Sequence, residues 1–142
     1  GIETVTAASR TGGGLAAAIT RISGSAKYFD RGFVTYANDA KKEMLGVSQR
    51  TLKRFGAVSE EVAREMALGA LNKSPSDVSV AITGIAGPTG AAPGKPVGLV
   101  WFCWAVRDGP VQSRRFHFQG GRVEVRMQSV AVALQGVLDL LR

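Results

Sequence analysis

Twice within the first 46 residues a short β-branched run passes through a turn straight into a helical pattern, and that repeated unit confines the chain to the α/β class. "IETVTAA" alternates as a strand, "SRTGGG" follows it, and "GLAAAITRI" reads as a helix that packs closely through its alanines. The second unit is "GFVTYA", a strand over Gly32 to Ala37, then "NDAKKEMLG", a helix opened by Asn38 as N-cap and closed at Gly46. In "SEEVAREMALGALNK", Ser59 is the predicted cap, Glu60 and Glu61 complement the dipole, and Val62, Met66 and Ala70 form one stripe at spacing four. "SDVSVAIT" is a strand, "GIAGPTGAAPGK" a loop too long for a simple turn, and "PVGLVWFCWAV" a second apolar strand. "RDGP" turns into "VQSRRFHF", a hairpin partner, before an amphipathic helix from Arg122 to Leu141.

The order β, α, β, α, α, β, β, β, α predicts a three-layer α/β/α sandwich around a mixed sheet. With 142 residues, 45% of them hydrophobic, the chain can bury such a core as a single domain over residues 1–142. The one cysteine, Cys103, rules out an intramolecular disulfide framework and a multi-cysteine zinc site, which fits a reducing, cytoplasmic setting. No apolar run approaches the roughly 20 residues that span a bilayer, and Gly1 to Ser9 lacks the basic start and apolar core of a signal peptide.

The formal charge of +7, from 18 Lys and Arg against 11 Asp and Glu, attracts anionic partners without choosing among them. "RTLKRF" and "SRRF" are the densest basic spots and read as solvated surface. A nucleic-acid-binding module fits the charge, but no basic stripe interleaves with aromatics.

In open α/β sheets ligands bind outside the carboxyl ends of strands, so "SRTGGG" and "TGIAGPTG" are the natural walls of a site. Neither matches the dinucleotide fingerprint or the Walker pattern. Ser9, at the end of its strand, has two readings: a nucleophile with neighbouring amides as an oxyanion hole, or, like Thr11, a helix cap. A nucleophile needs a base, and the only histidine, His117, lies in an alternating strand beside Arg115. Lys41 can serve instead, because with Asn38 as cap it occupies the third helical position, where the positive end of the dipole disfavours the ammonium. Tyr36 ends the preceding strand and comes to the same sheet end. Read singly, Lys41 is equally a solvated helix lysine like Lys42, and Tyr36 an edge aromatic.

"TGGGLAAAIT", "GFVTYANDAKKEMLGV", "GAVSEEVAREMALGAL", "AITGIAGPTG" and "KPVGLVW" together resemble the CinA C-terminal domain family, over nearly the whole chain and in order. Members act as nicotinamide-nucleotide amidohydrolases. The resemblance implies deamidation of nicotinamide mononucleotide to nicotinate mononucleotide and ammonia, in pyridine-nucleotide salvage, with neither metal nor organic cofactor. It assigns Ser9 as nucleophile and Tyr36 and Lys41 as the groups that activate it and shuttle its proton. The turn of Thr11, Gly12 and Gly13 supplies the oxyanion hole; Thr83, Gly84 and the loop through Gly87 line the nucleotide pocket. Arg114 and Arg115 are charge-based candidates for the phosphate. A homo-oligomer is expected.

Two positions depart from the family's A-E-S-C-T-G-G: Ala8 stands where the glutamate does, and Arg10 where a cysteine or small residue is usual. The family's usual first helix does not precede the strand, nor does the larger N-terminal domain to which this module is sometimes fused. The alternative to the enzyme is a module of the same fold that binds nucleotide without turning it over.

Overall fold

The computed structural model describes residues 2–9, 11 and 13–140. Five strands, β1 (Thr4–Ala8), β2 (Phe29–Val34), β3 (Val78–Gly84), β4 (Leu99–Val106) and β5 (Val111–His117), form one sheet in the order β2-β1-β3-β4-β5. β1 runs parallel to both β2 and β3, while β4 and β5 continue antiparallel, so the sheet is mixed. Its helices are α1 (Gly14–Thr20), α2 (Asn38–Leu45), α3 (Gln49–Phe55), α4 (Glu60–Asn72) and α5 (Arg122–Leu140), with a 3-10 turn at Ser25–Lys27.

Side-chain alternation sorts the sheet into two cores. Val5, Ala7, Ala81, Cys103 and Ala105 pack on one face beneath α4, with Leu45 and Leu52 from α2 and α3. Val80, Ile82, Val100, Phe102 and Trp104 pack on the other, beneath Leu15 and Ile19 of α1 and Val125, Ala133 and Val137 of α5. The predicted α/β/α sandwich is therefore present. The stripe Val62, Met66, Ala70 is fully buried, and Ser59 caps α4 by accepting from the Val62 amide at 3.2 Å.

Three local readings change. The second strand covers Phe29–Val34, three residues earlier than Gly32 to Ala37, because pairing begins with Phe29 opposite Thr4 and the chain leaves the ladder to enter α2. The cap of α2 is Ala37 in extended conformation, with Asn38 the first helical residue, so Lys41 is one position deeper than expected. α3 was absent from the predicted order: "RTLKRF" belongs to a short helix that buries only Leu52, too little apolar signal to stand out, and Ser48 caps it by accepting from Arg50 and Thr51.

The crossovers decide where a site can form. From β1 the chain passes through α1 on one face to β2, then through α2 to α4 on the other face to β3, which lies on the opposite side of β1. The carboxyl ends of β2, β1 and β3 share one edge, and the chain changes sides at β1, the kind of switch point at which open α/β sheets hold ligands. α2 is held close against α4 there: a Cβ on Gly69 would lie 1.9 Å from the Leu45 carbonyl oxygen, so only glycine permits the approach.

Candidate active site

Ser9 is the first residue past β1. Its amide donates to the Ile82 carbonyl on β3 at 3.1 Å, and on the other side the Ala8 carbonyl accepts the Thr35 amide at 2.8 Å, so Ser9 is held between the ends of β2 and β3. The alternation that buries Val5 and Ala7 carries on to Ser9, on the face covered by α2 and α4. Ala8, the position of the family's glutamate, takes the opposite face and is 3% exposed.

Lys41 is 1% exposed, the largest of the fully buried side chains among the described residues. Its Nζ donates to the Tyr36 carbonyl at 3.3 Å, bringing the amine to the carboxyl end of β2, beside the end of β1. Lys42, next in sequence, turns to solvent and meets Asp39 at 3.1 Å and Gln49 Oε1 at 2.8 Å. Of the two readings of Lys41, the solvated one is excluded by its burial. Tyr36, 48% exposed, stands outside the buried pair on the wall of a cleft.

That cleft, of about 380 Å³, is lined by Tyr36, Gly84, Gly87, Thr89, Lys95 and Arg122 among others. Gly87 has φ +86, and a Cβ there would meet Val97 at 2.6 Å, so its loop could not take this path with a side chain. Arg122 Nη1 donates to the Gly87 carbonyl at 3.0 Å, and Lys95 Nζ donates to the Phe55 carbonyl. Sequence reasoning missed both cations. Lys95 opens the "KPVG" motif and Arg122 is the first residue of α5; each follows a glycine-bearing segment, the one local signal that could have marked them.

The remaining sequence candidates fall in different places. Gly84 and Gly87 line the cleft. Thr83 does not: fully buried, it donates its hydroxyl to the Ala57 carbonyl at 2.8 Å and so ties the α3–α4 turn to β3. Thr11 is buried, and Gly13, without a side-chain cap bond, occupies the cap of α1, so neither Ser9 nor Thr11 caps that helix. Gly12 and Arg10 lie outside the described residues.

Arg114 and Arg115 sit on β5, two strands from β3. Arg114 lies over the Phe116 ring at 4.9 Å, in a groove beside α5, and Arg115 over Trp101 at 5.9 Å. Neither lines the cleft; Arg115 borders an adjoining hollow with Lys95 and Trp101.

Two other nucleophile or base candidates are engaged elsewhere. His117 hydrogen-bonds through Nε2 to the Val97 carbonyl at 3.0 Å. Cys103 is fully buried, and its burial pushes the thiol from 9.0 up to about 12, so no thiolate forms near neutrality. Among the described residues no group of three or more His, Cys, Asp or Glu could hold a metal ion, and no helix is long and apolar enough to cross a membrane.

The family model described as CinA C-terminal domain matches residues 1–141. The chain is similar to the nicotinamide-nucleotide amidohydrolase PncC of Enterobacter agglomerans, 54% identical over 132 residues, which cover 93% of this chain and 80% of the relative. It is 52% identical over 135 residues to the protein of that name from Escherichia coli K12, covering 95% of this chain and 82% of that one. Among solved structures, the competence/damage inducible protein CihA from Agrobacterium tumefaciens superposes with a TM-score of 0.97 at 48% identity, over 100% of this chain and 87% of its own.

Proposed function

Since the chain belongs to the CinA C-terminal domain family, we propose that it is a nicotinamide-nucleotide amidohydrolase that converts nicotinamide mononucleotide and water to nicotinate mononucleotide and ammonia. The observation that carries this reading is the buried Lys41 amine at the Tyr36 carbonyl, on the sheet edge where Ser9 ends β1. Removing an amine from water disfavours its ammonium form, which is what a base working on a serine hydroxyl requires.

In the proposed reaction Lys41 takes the proton of Ser9 as the serine oxygen attacks the carboxamide carbon. Backbone amides of the turn after Ser9 receive the developing oxyanion. The C–N bond then breaks, with the Lys41 proton leaving on ammonia, and Ser9 is left as an ester. Water attacks that ester, gives a proton to Lys41, and the serine oxygen recovers it as the acid leaves. Tyr36, on the cleft wall, is suited to relay protons between Lys41 and the departing nitrogen.

The cleft supports the nucleotide half of the reading. Gly84 and Gly87 border it, and Lys95 and Arg122 provide two cations for a phosphate. They replace Arg114 and Arg115 in that role.

A non-catalytic nucleotide-binding module is the second reading, favoured by one observation: Ser9 is 1% exposed and is not part of the cleft lining. Ammonia release from nicotinamide mononucleotide separates the two. The enzyme reading expects release by the parent and a loss of about a thousandfold or more in Ser9→Ala with the fold intact. Binding without release in the parent supports the second reading, and release undiminished in Ser9→Ala removes Ser9 as nucleophile.

A further inference from the structure

Two arginines four residues apart on α5, and so on one face of it, reach to the two glycine-bearing loops. Arg122 Nη1 donates to the Gly87 carbonyl at 3.0 Å; Arg126 Nη2 donates to the Thr11 carbonyl at 2.9 Å. Thr11 is two residues past Ser9, and 115 residues separate it from its partner.

The base from which they reach is firmly seated. Val125 and Ser129 are 1% exposed, Trp104 Nε1 donates to the Ala133 carbonyl at 3.1 Å, and Gln128 Nε2 donates to the Gln119 carbonyl at 2.9 Å. In the turn, the Thr11 carbonyl also accepts the Gly14 amide at 3.1 Å. The Thr11 hydroxyl is buried with no hydrogen-bond partner among the described residues, and the cap residue of α1, Gly13, has no side chain to contribute. A void of about 10 Å³ lies between Thr11, Gly84, Arg126 and Ser129.

We infer that Arg126 is a positioning residue for the turn that follows Ser9. Its guanidinium fixes the Thr11 carbonyl against α5, which orients the peptide groups next to the nucleophile, and with Arg122 it sets the separation of the two loops. Its effect on turnover rests on the amidohydrolase reading; its hold on the turn does not.

The test compares Arg126→Met with Arg21→Met, a change of an exposed arginine that shares with Arg126 and Thr11 a groove between α1 and α5. Hydrogen exchange read by mass spectrometry should quicken about tenfold to a hundredfold in peptides covering 9–14 of Arg126→Met, the scale of one hydrogen bond with a charged donor, while α5 and β4 exchange as in the parent. Arg21→Met should exchange like the parent throughout. Unchanged exchange in the turn, or equal quickening in α5 and β4, overturns the inference. If Arg126→Met does not fold, Arg126→Gln, whose amide is too short to reach Thr11, is read in the same way.

For ammonia release, kcat should fall about tenfold or more with KM within about threefold, and Arg126→Lys should recover most of it because a lysine still donates. A loss carried by KM alone overturns the inference. Should Ser9→Ala release ammonia like the parent, the proposed nucleophile fails, and the exchange result alone judges Arg126.

Discussion

The sheet has two halves that differ in what they do with their ends. In the parallel half, β2-β1-β3, every strand leaves at the same edge, β1 and β2 crossing over through helices and β3 passing into a long loop, so its carboxyl ends deliver Ser9, Tyr36 and Gly84 side by side. In the antiparallel half, β4 and β5 close in a short hairpin through Arg107 to Pro110, and their side chains go into packing: Phe102 stacks on Trp104 at 5.6 Å and meets Phe116 edge-on at 5.4 Å. The difference explains why Arg114 and Arg115, in the hairpin, do not line the cleft while Lys95, in a loop, and Arg122, at the start of α5, do. A crossover edge gathers chain segments that are distant in sequence, and a hairpin gathers only its own neighbours.

The largest test of this contrast within the parallel half sets two adjacent lysines against each other. Lys41→Met should depress turnover by about a hundredfold or more, the scale of a lost general base, whereas Lys42→Met should leave it within about twofold. Steady-state ammonia release measures both. Equal losses at the two positions would mean that burial at this edge has no catalytic consequence.

Next in size comes the comparison between the halves. Arg122→Met should raise KM for nicotinamide mononucleotide about tenfold or more, on the scale of one charge-assisted hydrogen bond, and Arg114→Met should leave KM unchanged. A rise in KM at Arg114 as large as at Arg122 would return the phosphate to the antiparallel half.

The smallest effect concerns Cys103, at the centre of the antiparallel half. A thiol raised to about 12 in the folded protein, against 9.0 when unfolded, keeps its proton longer in the native state. The unfolded chain therefore loses protons first, and stability falls as pH rises from about 9 towards 12, with no contribution from this group below that window. Denaturant titrations at pH 8 and pH 10 should show the parent losing slightly more stability than Cys103→Ala. At pH 8 a thiol reagent should modify Cys103 only as the protein unfolds; rapid labelling of the native protein would contradict its burial.

Much of the fold is local and was therefore readable. The Gly46 and Ser59 caps depend on residues within a turn of one another, and the stripe of α4 depends on spacing four, so neither needs knowledge of the rest of the chain. α3 is not legible in the sequence because a helix with one buried residue carries almost no periodic signal. The candidate site was legible in part: strand ends, a helix start and family likeness pointed to Ser9, Tyr36 and Lys41, which the fold places at one sheet edge, but nothing in "NDAKKEML" distinguishes the buried lysine from the solvated one.

What the sequence determined by itself was the set of strand-turn-helix units, their caps, and the two glycine-bearing turns that had to end at a sheet edge. Tertiary structure alone decided that Lys41 rather than Lys42 is buried, that Thr83 spends its hydroxyl on Ala57, and that Lys95 and Arg122 reach the cleft while Arg114 and Arg115 do not. Capping and amphipathic spacing act over three or four residues, whereas the neighbours of a strand end are set by strand order, and here that order brings together segments as far apart as Thr11 and Arg126.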